Sequence, residues 1–166
     1  DCAVAAMANQ ALNYLSTGTP PERTGNYHPN LTPYQVFECR DGHIIIATGN
    51  DAQFRRLARV LGMEELGTQP EYISNAARIA HRAQLTEALE TGTRQLAKDD
   101  LLAACEAEGI PAGPINDMAE VFADPQVRAR GLQIAPEGIP GVRSPFRFSD
   151  ADLTLDRAAP RLPKSD

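Results

Sequence analysis

The chain has 166 residues, of which 42% are apolar and 23% charged, values that suit a globular domain and exclude wholesale disorder. A net charge of −6 is the wrong sign for a nucleic-acid partner, because phosphate binding relies on Lys and Arg. No apolar run approaches the roughly 18 residues of a membrane span, and Asp1 opens directly into an Ala-rich pattern with no secretory signal, so a cytoplasmic protein is expected.

Residues 2–16 place Ala3, Val4, Met7, Ala8, Ala11, Leu12 and Leu15 at helical spacing on one face. Nothing else in the chain offers that face an obvious cover. Ser16 to Arg23, with Gly18, Pro20 and Pro21, reads as an exposed linker. Gly25-Asn26-Tyr27-His28-Pro29-Asn30-Leu31-Thr32-Pro33-Tyr34-Gln35 follows. Its prolines remove backbone donors and turn their predecessors away from helix, so an irregular loop is expected. Tyr34–Cys39 then reads as a strand, Arg40-Asp41-Gly42 as a turn and His43–Thr48 as the partner strand, since Asp-Gly between β-rich runs signals a hairpin. The loop is thereby mounted on a stiff edge, a common way to carry binding residues.

Beyond the hairpin, Asn50 is a helix cap with Gln53 placed to reciprocate, and Phe54, Leu57, Ala58 and Leu61 form the buried stripe before Gly62. A second helix is expected over 80–91, with Leu85, Ala88 and Leu89 inward. A third covers 98–108, with Leu101, Leu102 and Cys105 inward, ended by Gly109 and Pro111. Helices against a hairpin predict an α+β fold with an antiparallel sheet packed by helices. Asn116 is read as the cap of a short helix through Phe122, and Asp124-Pro125 as the start of another that Gly131 ends. Leu132–Ile134 and Val142–Phe148 look strand-like, and Ala158–Pro163 looks like an extended arm.

These residues contain no evident nucleophile–base pair. His28, beside Tyr27, Asn30 and Tyr34, is the best single candidate to donate to a carbonyl or carboxylate. The plainer reading is a loop histidine bonded to its neighbours. His43 is expected to be exposed and His81 to lie at a helix start, and three scattered histidines do not make a metal site. Asp51 and Asp124 read as helix-cap charges rather than catalysts. Cys2, Cys39 and Cys105 are odd in number and far apart, as buried reduced thiols would be. Asn30-Leu31-Thr32 matches a glycosylation sequon by chance, and neither GxGxxG nor a P-loop is present. On residues alone this is an α+β binding module of unknown ligand.

Three segments together resemble a known family. They are Gln10-Ala11-Leu12-Asn13-Tyr14-Leu15 with Arg23 to Asn30 and Pro33-Tyr34-Gln35; Asp41-Gly42 through Ala47 with Gly49 to Phe54; and Gly109 to Asn116 with Glu120 to Gly131. In this order they resemble the class III CoA-transferases, the family of carnitine dehydratase and bile-acid-inducible proteins. The resemblance implies a large Rossmann-like CoA-binding domain, a smaller α+β domain joined to it by two linkers, and two subunits interlocked as a homodimer. Residues 1–24 would be the last large-domain helix and its linker, 25–131 the small domain, and 132–166 the return toward the large domain. The leading helix and C-terminal arm would then belong to a large domain outside this chain.

The family's reaction implies an aspartate that attacks an acyl-CoA thioester, giving a mixed anhydride and then an aspartyl-CoA thioester. That aspartate is expected upstream of residue 1, so no catalytic residue is assigned here, and this chain alone is expected to be inactive. The substrates implied are a coenzyme A thioester and a small carboxylic acid, with no metal. Gly25, Asn26, His28, Asn30, Tyr34 and Gln35 are the substrate-binding candidates, on the loop that folds over the thioester in the family. Tyr27-His28-Pro29-Asn30 replaces the glycine-rich run of oxalate-type members, which argues against oxalate. It also differs from the Gly-Gly-Ala-Pro-Phe-Tyr pattern of the family's α-methylacyl-CoA racemases, and Pro163-Lys164-Ser165-Asp166 departs from a usual Gly-Glu-His-Thr. A racemase, or a non-catalytic module binding a partner through the first helix, are the competing readings.

Overall fold

The computed structural model describes residues 1–160 as two compact units, Asp1–Ile115 and Asn116 onward. The first contains helices α1 (Cys2–Ala6) and α2 (Ala8–Thr17), strands β1 (Tyr34–Cys39) and β2 (Gly42–Ala47), and helices α3 (Asp51–Val60), α4 (Asn75–Ala80), α5 (Arg82–Thr93) and α6 (Lys98–Ala107). Strand β3 (Ala112–Ile115) completes an antiparallel sheet in the order β1-β2-β3. The expected α+β class stands, with helices packed on a small antiparallel sheet.

The hairpin forms where its pattern placed it. Phe37 pairs with Ile44 and Val36 with Ile45, so one face of each strand is fixed by the period of two. Phe37 and Cys39 from β1, with Ile44 and Ile46 from β2, meet Phe54, Leu57 and Ala58 of α3, Leu85 and Leu89 of α5, and Leu101 and Cys105 of α6. Burying each large apolar side chain contributes roughly 1.5–3 kcal/mol, which makes this cluster the main stabilising feature of the unit. Asn50 caps α3 by accepting from the Gln53 N–H at 2.9 Å, while Gln53 Oε1 accepts from the Gly49 N–H at 2.7 Å. A Cβ at Gly92 would lie 2.9 Å from Met63 Cε and 3.3 Å from Leu61 Cβ, so a larger residue there would make the Met63 side chain move.

Several elements differ from the sequence pattern. The first helix breaks at Met7, whose ψ of 18° ends α1. Neither α1 nor α2 buries a residue, and Val4, Leu12 and Leu15 stay 71%, 64% and 78% exposed. The helix expected over 80–91 forms as α5, with Leu85 and Leu89 buried, and an unexpected short helix, α4, precedes it across His81. The Ser74 side chain starts α4 by accepting from the Ala77 N–H. Strand β3 has no sequence signal because it contains Gly113 and Pro114, and proline is tolerated on an edge strand that needs no second partner. Cys2 is exposed rather than buried, since it lies on the uncovered leading helix.

The second unit holds helices α7 (Met118–Ala123) and α8 (Pro125–Ala129) and the two-stranded pair β4 (Gln133–Ile134) and β5 (Gly141–Val142). Asp117, not Asn116, caps α7, because only Asp117 has a glutamate three residues on to close a capping box with Glu120. Asp124 caps α8 as expected, accepting from Gln126 and Val127 at 2.8 and 3.0 Å. The strand expected over 142–148 stops at Val142. Pro145 cannot donate to a ladder, and the Phe146 N–H goes to Ser144 Oγ instead, leaving Phe146 and Phe148 exposed. Residues 158–160 have no regular structure, and the rest of the expected arm, 161–163, lies outside the described residues.

Candidate functional site

The loop before β1 is irregular but tightly bonded. Its first part runs beside the edge of β1 that faces away from β2: Asn26 Oδ1 accepts from the Val36 N–H at 2.9 Å, and the His28 N–H donates to Tyr34 O at 2.9 Å. Its last part is held from the residue just after β2, where the Thr48 hydroxyl and N–H both donate to Pro33 O, at 2.7 and 3.0 Å. The Thr32-Pro33 peptide is cis.

Between these anchors the loop is gripped by polar side chains from distant helices. The Asn75 side-chain amide bridges two loop backbone groups, donating to Asn30 O at 2.8 Å and accepting from the Thr32 N–H at 3.1 Å. Arg78 is 1% exposed and donates to Thr32 O at 2.7 Å, Tyr72 O at 2.9 Å and Asp51 Oδ1 at 2.8 Å, with its guanidinium 4.6 Å from the centre of the Phe54 ring. Arg82 donates to His28 O and Pro29 O at 3.0 and 3.1 Å, and lies 4.4 Å over the Tyr27 ring. Burial pushes the Arg82 pKa down from its ordinary value, and Tyr27 partly offsets this. Asp51, read as a helix-cap charge, stands in the first turn of α3 but spends its carboxylate on Arg78.

His28 is fixed on two sides. Its ring stacks on Tyr34 at 5.0 Å between centroids and 23° between planes, and its Nδ1 accepts from the Asn30 N–H at 3.1 Å. An imidazole accepting at Nδ1 in its neutral form carries its proton on Nε2. The ring therefore offers a single oriented donor.

An open groove of about 460 Å³ lies between Ala6–Gln10 on the leading helices and Thr24–Pro29 with Tyr34. Asn9, Gln10, Asn26 and His28 give it hydrogen-bonding groups, and among the described residues no Asp, Glu, Lys or Arg lines it. Of the six candidates, Gly25, Asn26, His28 and Tyr34 reach this groove. Gly25 adopts a φ of +64°, a conformation that favours glycine. Asn30 instead exchanges a reciprocal amide pair with Asn13 at 3.0 and 3.3 Å, and Gln35 is buried in β1. Asn75, Arg78 and Arg82 were missed by sequence reasoning; Asn75 and Arg78 lie three residues apart on α4, and Arg82 opens α5 beyond the break at His81.

Outside the loop little chemistry is assembled. His43 is exposed, and His81 Nδ1 is 2.9 Å from Ala77 O. Among the described residues no group of His, Cys, Asp or Glu is placed to hold a metal ion, and no helix is long and apolar enough to cross a membrane. Cys39 and Cys105 are buried free thiols with raised pKa values; burial takes Cys105 to about 11.

Residues 1–165 match the family described as CoA-transferase family III. The chain belongs to that family. Among curated relatives of this CoA-transferase family member, a succinate–glutarate CoA-transferase from Agrobacterium fabrum is 47% identical over 98% of the chain. A human succinyl-CoA:glutarate CoA-transferase is 35% identical over 89%. The chain spans 42% and 36% of those two proteins, well under half of either. A crystal structure of a CAIB/BAIF family protein from Brucella suis, 54% identical, superposes with a TM-score of 0.86 over 98% of this chain and 43% of its own. A Mycobacterium tuberculosis protein at 21% identity and a TM-score of 0.66 shares the fold.

Proposed function

We propose that this chain is the small-domain part of a CoA-transferase that moves CoA from an acyl-CoA to a small dicarboxylic acid. The observation that carries the reading is the 47% identity, over 98% of the chain, to a relative named for succinate and glutarate. Other relatives at 32–35% identity are named for glutarate and D-citramalate, also dicarboxylic acids. In this reading residues 1–24 end the large domain, 25–131 form the small domain and 132–166 return toward the large one. The exposed apolar faces of α1 and α2 suit a helix covered by more polypeptide, and relatives more than twice as long supply it.

The chemistry is a double exchange. An aspartate upstream of residue 1 attacks the acyl-CoA carbonyl and expels CoA thiolate, leaving a mixed anhydride. The thiolate then attacks the aspartyl carbonyl and expels the first acid, leaving aspartyl-CoA. The second acid reverses both steps and departs as the new thioester, with the aspartate regenerated. No proton is consumed overall, so a fixed donor is more useful than a base. His28 serves as that donor, its Nε2–H stabilising charge that develops on a carbonyl oxygen. Gly25, Asn26 and Tyr34 complete the groove, while Asn30 and Gln35 set the loop's shape. The transferase works in the cytoplasm as an interlocked homodimer.

The test is to incubate the intact protein with succinyl-CoA and a panel of carboxylic acids and to identify products by mass. Glutaryl-CoA or another dicarboxylyl-CoA is expected, and the 166-residue chain alone should give none. Exchange of an α-proton without CoA transfer, as a racemase would show, or turnover by the isolated chain, contradicts the proposal.

A further inference from the structure

We infer that Arg82 is a positioning residue: it sets the loop conformation that presents His28, and it does so without touching the reacting atoms. The inference rests on the proposed role of the loop in CoA transfer, but its geometric part stands by itself.

Arg82 sits at the start of α5 and reaches 51 to 54 residues back along the chain, to the carbonyls of His28, Pro29 and Leu31. The first two lie at 3.0 and 3.1 Å from Nη2 and the third at 3.4 Å from Nη1. Successive carbonyls of a loop repel one another when they converge. A guanidinium, with several donors in one rigid plane, is the side chain that can hold three of them together. Its other face is occupied by the Tyr27 ring at 4.4 Å. Arg82 thus grips the backbone on both sides of the His28–Pro29 bond and the side chain just before it.

The contrast with Arg78 shows why this is positioning and not packing. Arg78 is buried, lies over Phe54 of the apolar cluster and ties Asp51 of α3. The hydrogen bonds and the ring contact of the Arg82 side chain all go to residues 27–31, none of which belongs to the core cluster. Three of the residues it grips, Tyr27, His28 and Pro29, line the groove, and Arg82 itself does not. Lysine would keep the charge but cannot span the carbonyls, so charge alone does not substitute.

The experiment compares the intact protein with its Arg82→Ala and Arg82→Lys variants by hydrogen exchange, read on peptides covering 24–33 and 34–47. Exchange of the loop peptide should accelerate about tenfold or more in both variants, with the hairpin peptide within about twofold of wild type, because a local opening leaves the core protected. Added methylguanidine should restore loop protection in Arg82→Ala and not in Arg82→Lys, where the side chain still fills the site. For transfer, kcat should fall by about a hundredfold with KM for the acyl-CoA nearly unchanged, the effect of a group misplaced by roughly an ångström. Unaltered loop exchange in the lysine variant overturns the inference, as does equal acceleration of loop and hairpin. Loop exchange that rises as expected while transfer stays unchanged confirms the positioning and removes the loop from the reaction instead.

Discussion

Residues 34–58 and residues 24–33 are neighbours in the chain and are held in opposite ways. In the first stretch Phe37, Ile44, Ile46, Phe54 and Leu57 are 0–1% exposed, and their apolar side chains gather in one buried cluster. In the second, Gly25, Asn26, Tyr27 and Asn30 stay exposed, and the shape comes from Asn75, Arg78 and Arg82 bonding to named backbone atoms. Apolar burial is additive and forgiving of direction, whereas a hydrogen bond is lost when its geometry shifts. The core therefore determines whether the unit folds, and the polar clasp determines where the His28 ring points.

Four substitutions can break or sharpen that distinction. Phe37→Ala should have the largest effect, about 3–5 kcal/mol in urea-unfolding stability, because it empties the centre of the apolar cluster. A loss below about 1 kcal/mol would mean that the hairpin is not the core. Arg78→Ala should come next, at about 2–3 kcal/mol, since it strands the Thr32 and Tyr72 carbonyls while the Asp51 carboxylate, 44% exposed, recovers water. It touches both regions, so loop and hairpin exchange should rise together, unlike Arg82→Ala.

Cys105 gives a pH test confined to the core. Its thiol pKa is raised by burial from 9.0 to about 11, so the folded state holds the proton more tightly than the unfolded chain. The stability this provides is intact below pH 9.0 and falls as pH rises toward about 11. Unfolding followed across that window should show the decline, and Cys105→Ala should flatten it at the expense of a small cavity. An equally steep decline in the variant would assign it to other groups. Asn13→Ala should have the smallest effect, about 0.5 kcal/mol, because its amide pair with Asn30 is exposed. Its loss should be seen in loop exchange and scarcely in unfolding.

The same division explains what the sequence revealed. The hairpin was readable because Phe37, Cys39, Ile44 and Ile46 alternate about Asp41-Gly42, a local pattern with a local cause. The caps at Asn50 and Asp124 were readable for the same reason, and Asp117 could have been read from Glu120 three residues later. Helix α4 was not, because the residue it buries is Arg78, where an apolar stripe would be sought. Strand β3 was hidden by Gly113 and Pro114, and the alternation of Val142, Ser144, Phe146 and Phe148 suggested a strand that Pro145 prevents. The loop itself could be located from its prolines and from the family resemblance. Its clasp could not, because every bond in it joins residues 43 to 54 positions apart, and no spacing rule within the loop points to Asn75, Arg78 or Arg82.

The claim on which the functional account depends is that the loop carrying His28 faces the thioester. The most direct test is the rate of glutaryl-CoA formation from succinyl-CoA and glutarate by the intact protein and its His28→Ala variant, with thermal unfolding measured on both. The account predicts wild-type transfer and a drop in kcat of about a hundredfold in the variant, as when an oxyanion donor is removed, at an unchanged melting temperature. Equal rates in the two proteins, or no CoA transfer by either to any dicarboxylic acid, would contradict it.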